Sequence, residues 1–106
     1  MANVYKNSKL DLTTTDVTTL YTCPAATTAV FKSILVSEDS GNADTVTATI
    51  TVGSTIFSLF KVKAVGANTT VELLTQPLVM NEAEILKFNA ATANRLHVVA
   101  SYLEIS

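Results

Sequence analysis

Residues 44–52 read Asp-Thr-Val-Thr-Ala-Thr-Ile-Thr-Val, a strict two-residue alternation. Val46, Ala48, Ile50 and Val52 fall on one side of that segment, and Thr45, Thr47, Thr49 and Thr51 on the other. Successive side chains of a strand point to opposite faces, so this stretch is a β-strand with one apolar face and one hydroxyl-covered face.

The same grammar recurs on both sides of it. Ala2 to Leu12 reads as a first strand anchored by Tyr5 and Leu10, and Val17 to Cys23 as a second, ended by Pro24, which cannot donate to a sheet ladder. Thr27 to Ser37 is a third strand, with Val30, Ile34 and Val36 on one side and Phe31 and Leu35 on the other. Apolar residues on both of its faces predict a central position or a contact on each side. The acidic Glu38–Asp44 turn follows, then the alternating strand, then Gly53-Ser54 as a two-residue hairpin connection. Thr55 to Val65 is its partner, with Ile56, Phe60 and Val62 expected on one face and Phe57 and Leu59 on the other.

Thr69 to Leu74 is a sixth strand, stopped at Gln76-Pro77, and Asn81–Glu84 suits a short helical turn or a wide loop. Ile85 to Ala90 and Arg95 to Ile105 complete the set, the last with Leu96, Val98, Ala100 and Tyr102 on one face and Val99, Leu103 and Ile105 on the other. About eight short strands separated by turn chemistry predict an all-β, antiparallel β-sandwich, with a jelly-roll-like arrangement or a barrel as variants. The 106 residues fit a single domain, 1–106.

Composition narrows the function. Apolar residues make up 48% of the chain and the mean hydropathy is +0.36, while charged residues are only 15%. A small chain this apolar is expected to cover part of its surface with other subunits. Net charge is −2, and the lysines and Arg95 are scattered, so no basic track exists to follow a phosphate backbone and no nucleic-acid partner is expected. No apolar run approaches the length of a membrane-spanning helix. The opening Met-Ala-Asn-Val-Tyr-Lys-Asn-Ser-Lys lacks the apolar centre of a signal peptide, so the expected site of synthesis is the cytoplasm of the cell that makes it. Cys23, alone and beside Pro24, reads as a small buried residue.

Sites of chemistry are sparse. His97 is the only histidine, with no ligand or catalytic partner near it in sequence. Glu38, Asp39 and Asp44 surround a Gly-Asn turn but lack the ligand spacing of a calcium loop. Glu82 and Glu84 could share a strand face as glycosidase carboxylates do, yet the chain has no Trp to stack on a sugar. No Gly-x-Ser-x-Gly elbow or phosphate loop is present. The expectation is no enzyme, no cofactor and no metal. Threonine suits strands and wets an outer face without long charged arms, which lowers repulsion between neighbouring copies.

Four stretches carry a resemblance: Met-Ala-Asn-Val-Tyr-Lys-Asn at the start, Thr-Thr-Leu-Tyr-Thr-Cys-Pro-Ala-Ala-Thr-Thr-Ala-Val at 18–30, Val-Glu-Leu-Leu-Thr-Gln-Pro-Leu-Val-Met at 71–80, and Ala-Asn-Arg-Leu-His-Val-Val-Ala-Ser-Tyr-Leu-Glu-Ile-Ser at the end. Over nearly its whole length the chain resembles small virion structural proteins of tailed bacteriophages, especially those of marine bacteria and cyanobacteria. The resemblance implies a β-sandwich that coats or joins parts of a virion. The leading expectation is a capsid decoration, or cement, protein that binds the major capsid protein lattice and other copies of itself. A neck, collar or tail (fibre-attachment) component is the alternative, and a carbohydrate-binding β module comes last. Aromatic anchors dominate many interfaces, which nominates Tyr5, Tyr21, Phe57 and Tyr102 as interface residues.

Overall fold

A computed structural model describes residues 3–106, and among them the chain forms nine strands and no helix. The strands are β1 (Asn3–Asp11), β2 (Thr18–Thr22), β3 (Thr28–Glu38), β4 (Asp44–Val52), β5 (Thr55–Val65), β6 (Thr70–Glu72), β7 (Leu78–Met80), β8 (Ile85–Ala90) and β9 (Leu96–Ile105). They make two antiparallel sheets. Sheet A runs β1-β9-β3, with β6 and β7 both pairing the far side of β3; sheet B runs β2-β8-β4-β5. The path crosses between sheets after β1, β2 and β3, forms the β4–β5 hairpin in sheet B, and crosses again after β5, β7 and β8. If β6 and β7 are taken as one interrupted strand, this is the eight-stranded double Greek key of a jelly roll.

The inner faces supply the core. Val46, Ala48 and Ile50 from the alternating strand and Leu86, Phe88 and Ala90 from β8 are buried in sheet B, opposite Ile34, Val36, Val98 and Ala100 of sheet A. Gly53 turns the β4–β5 hairpin with φ of 62°, and Val52 pairs with Thr55 across it as the sequence predicts.

Three departures from the sequence reading have one cause, an irregularity in a ladder. In β3 the pairing with β9 slips between Phe31 and Ser33. A bulge reverses the side on which the following residues fall, so Ala29 and Phe31 before it and Ile34, Val36 and Glu38 after it all point inward. The bulge also interrupts the neighbouring strand. Glu72 turns its carboxylate into the gap, where it accepts the Ile34 N–H at 2.8 Å, the Leu74 N–H at 3.1 Å and the Ser33 hydroxyl. The chain then leaves the ladder over residues 73–77 and returns as β7, the ninth strand, in residues 78–80, to which the sequence reading assigns no element.

In β5, two register shifts against β4 put Phe57, opposite Ile50, and Phe60, opposite Ala48, on the same side of the strand despite their odd spacing; Phe60 is half-buried against the core, whereas Phe57, near the hairpin end, stays exposed. Val62 sits there at φ 53°, an uncommon conformation for a β-branched residue, with its N–H held by Thr47 Oγ1 at 3.0 Å. The Asn81–Glu84 stretch is a tight turn, not a helical one: the Glu84 N–H meets the Asn81 carbonyl at 3.2 Å, and the Glu84 carboxylate accepts the Asn81 N–H at 2.9 Å.

Candidate interaction surfaces

Antiparallel partners point to the same side of a sheet, so the registers of sheet A define its outer face row by row. Tyr5 pairs with Leu103, Leu103 with Val30, and Val30 with Val79. These four residues form an apolar row from one edge of the sheet to the other, with Tyr5 75% and Val79 53% exposed at its ends. A second row runs Lys9, Val99, Leu35, Glu72. Between them lies a polar row of Asn7, Ser101 and Ser33. The apolar second faces of β3 and β9, separate features in the sequence, therefore merge into one surface.

Sheet B turns a different outer face to solvent. Thr45, Thr47 and Thr49 of β4 lie beside Lys87 and Asn89 of β8, and all are only partly covered. Apolar exposure on this side of the molecule concentrates at the β4–β5 hairpin, where Val52, Ile56, Phe57 and Val62 remain exposed. A groove of about 200 Å³ lies near it, lined by Leu59 and Phe60 of β5 and by residues 73–78. The bulges and positive φ in the C-terminal half of the β5 edge, with Lys61 and Lys63 beside them, hinder strand addition there.

The four aromatic residues nominated from sequence separate into two pairs. Tyr5 and Phe57 are exposed, at 75% and 54%, on different surfaces. Tyr21 and Tyr102 are core residues, 7% and 5% exposed, and are corrected from surface anchors to core packing. They cluster with Phe31, ring centroids 4.7–5.3 Å apart, Tyr102 stacking on it and Tyr21 meeting it edge-on. Their hydroxyls are satisfied across the fold: Tyr21 donates to Glu104 at 2.5 Å, and Tyr102 meets Ser8 at 2.8 Å. Burial, reinforced by the bond to Glu104, pushes the Tyr21 phenol well above its usual range. Glu104 is held below the ordinary carboxylate range by Lys6, 2.7 Å away, and by the Tyr21 hydroxyl. This network bolts β1, β2 and β9 together.

His97 acquires partners that are distant in sequence. Its Nε2 lies 3.3 Å from Asp11 and its Nδ1 3.6 Å from Asp39. Among the described residues no three His, Cys, Asp or Glu side chains are grouped to hold a metal ion. Glu38, expected at a solvated turn, is instead 2% exposed. Its carboxylate accepts the N–H groups of Ser40, Gly41 and Asn68 at 2.8–3.1 Å, together with the Ser40 hydroxyl. Burial alone would raise its pKa, but those donors outweigh it and hold the group at about 2. Cys23 is buried, as expected, and burial pushes its thiol up.

No family model matches the sequence, and no curated protein matches it.

Proposed function

We propose that this chain is a non-enzymatic structural protein of a bacteriophage virion, a decoration protein that binds the major capsid lattice and its own copies. The observation that carries this reading is the pair of separate apolar surfaces on one small sandwich: the outer face of sheet A and the β4–β5 hairpin with its groove. A cement protein must hold a neighbour and the shell at once, and two surfaces permit that. Weak contacts repeated over a shell then add through multivalency. Jelly rolls are frequent in capsids, but they also serve lectins and enzymes, so the fold adds only an analogy.

In this reading the hairpin docks on the shell, with Phe57 as its anchor. Protein quantification of purified virions tests it. Hundreds of copies per particle are expected, and a Phe57→Lys variant should lower occupancy without changing the melting temperature. Ring-like stoichiometry of a dozen or fewer copies would move the protein to the neck or tail. Absence from particles would overturn the proposal.

A further inference from the structure

The outer face of sheet A is self-complementary. Place a two-fold axis in the plane of that face, parallel to the strands and midway between β9 and β3. The rotation lays a second copy face down on the first and exchanges the two edges of the sheet. Tyr5 then meets Val79 of the second copy, and Leu103 meets Val30. In the second row Val99 meets Leu35, and Lys9 meets Glu72. Each contact occurs twice, as an isologous interface requires.

The charges choose this axis. Lys9 and Glu72 stand at opposite ends of one row, and neither has an ion-pair partner within the chain among the described residues. The in-plane axis perpendicular to the strands would instead set both charges against the apolar row. In the polar row Lys32, exposed at the β3 bulge, lies beside this axis, so its side chain must extend past Ser33 toward the gap between β6 and β7 to keep clear of its symmetry mate. Asp11 faces Thr70, and His97 faces Ser37.

We infer that the outer face of sheet A is covered by a second copy of this chain, in a two-fold, face-to-face dimer closed by reciprocal Lys9–Glu72 pairs. Two sheets packed this way keep their strands within about 30° of each other, which the twist of each sheet supplies. Four strands about 4.8 Å apart, each about nine residues of ~3.3 Å long, offer roughly 570 Å² per copy, or about 1,100 Å² for the pair. That falls at the low end for a stable interface, so the dissociation constant is expected on the order of 10–100 μM. The dimer leaves the β4–β5 hairpin free. It does not depend on the virion assignment: a chain absent from virions could still form it.

Sedimentation velocity of the purified chain from about 1 μM to about 1 mM tests the inference over a range that brackets the expected constant. The wild type should pass from monomer to dimer. Val79→Lys, at an exposed site, should leave it monomeric throughout with an unchanged circular dichroism melt. Lys9→Glu should weaken the dimer about tenfold, as one lost close charge pair per copy predicts. Adding Glu72→Gln to Lys9→Glu removes the new repulsion while keeping acceptors for the bulge N–H groups, and should recover most of the affinity. A monomer up to the highest concentration, a trimer or larger ring, an assembly indifferent to Val79→Lys, or a double variant no tighter than Lys9→Glu would each overturn the proposed contact.

Discussion

The two outer faces of the sandwich are built from the same element under the same pleat, yet they carry opposite chemistry. On sheet B, β4 presents threonine at the outward positions 45, 47 and 49, beside Lys87 and Asn89. On sheet A, the corresponding central strands, β3 and β9, present Val30, Leu35, Val99 and Leu103. A sheet needs only one apolar face to build a sandwich core. Sheet B obeys that minimum and sheet A exceeds it. The surplus is continuous across four strands, which separates it from the scattered surface apolars of ordinary proteins. The difference marks the outer face of sheet A, not that of β4, as the surface on which the proposed self-contact rests.

The comparison can be broken most severely where both faces share a support. Phe31 lies beneath sheet A, meets Tyr21 of sheet B edge to face and stacks on Tyr102. Phe31→Ala should cost about 3–5 kcal/mol in chemical denaturation and loosen both faces together. A loss below about 1 kcal/mol would mean that the aromatic cluster does not join the sheets.

Glu72 supports sheet A alone. Glu72→Ala strips the partner from the Ile34 and Leu74 N–H groups and should cost about 1–2 kcal/mol, whereas Glu72→Gln should recover most of that. Amide exchange should quicken around β6 and β7 and stay unchanged in β4. Equal quickening in both sheets would refute the local role.

Acid separates the strand faces from the loops that link them. Glu38 bonds to the turn after β3 and to Asn68 in the turn before β6. Its folded-state pKa, about 2, lies below that of an unfolded glutamate. The unfolded chain therefore binds the proton first. The stabilisation from this group is complete above about pH 4.5 and drains away as pH falls toward 2. Melting temperature plotted against pH should decline over that window in the wild type and decline less in Glu38→Gln, and parallel curves would contradict the assignment.

The smallest effect belongs to sheet B. Thr51 is buried at the end of the hydroxyl row, and among the described residues its Oγ1 has no hydrogen-bond partner. Thr51→Val should stabilise the chain by about 0.5–1.5 kcal/mol. A destabilised variant would show that the hydroxyl is satisfied after all.

What could be read in the sequence follows how local each signal is. The β4 alternation, the Gly53-Ser54 turn and the inward face of β9 depend on side-chain parity within one strand, and they stand in the structure as read. Parity fails at a bulge. Phe31 and Ile34 looked like opposite faces of β3 because one inserted residue leaves no compositional mark. For the same reason Phe57 and Phe60 were assigned to different sides of β5. The strand Leu78–Met80 has three residues, too few for a period to show. Tyr21 and Tyr102 looked like anchors because a tyrosine needs a partner for its hydroxyl when buried, and those partners, Glu104 and Ser8, lie 83 and 94 residues away in the chain. The apolar outer face of sheet A was half visible. Both faces of β3 and β9 read as apolar, but only the register shows that Tyr5 and Val79 extend the same row.

The most direct test of the contrast between the faces is a methyl NMR dilution series on the isolated chain. The methyl signals of Val30, Val79, Val99 and Leu103 should shift together as concentration rises through the micromolar range, while those of Thr45, Thr47 and Thr49 stay fixed. Shifts confined to the threonine methyls, or none on either face at millimolar concentration, would contradict the account.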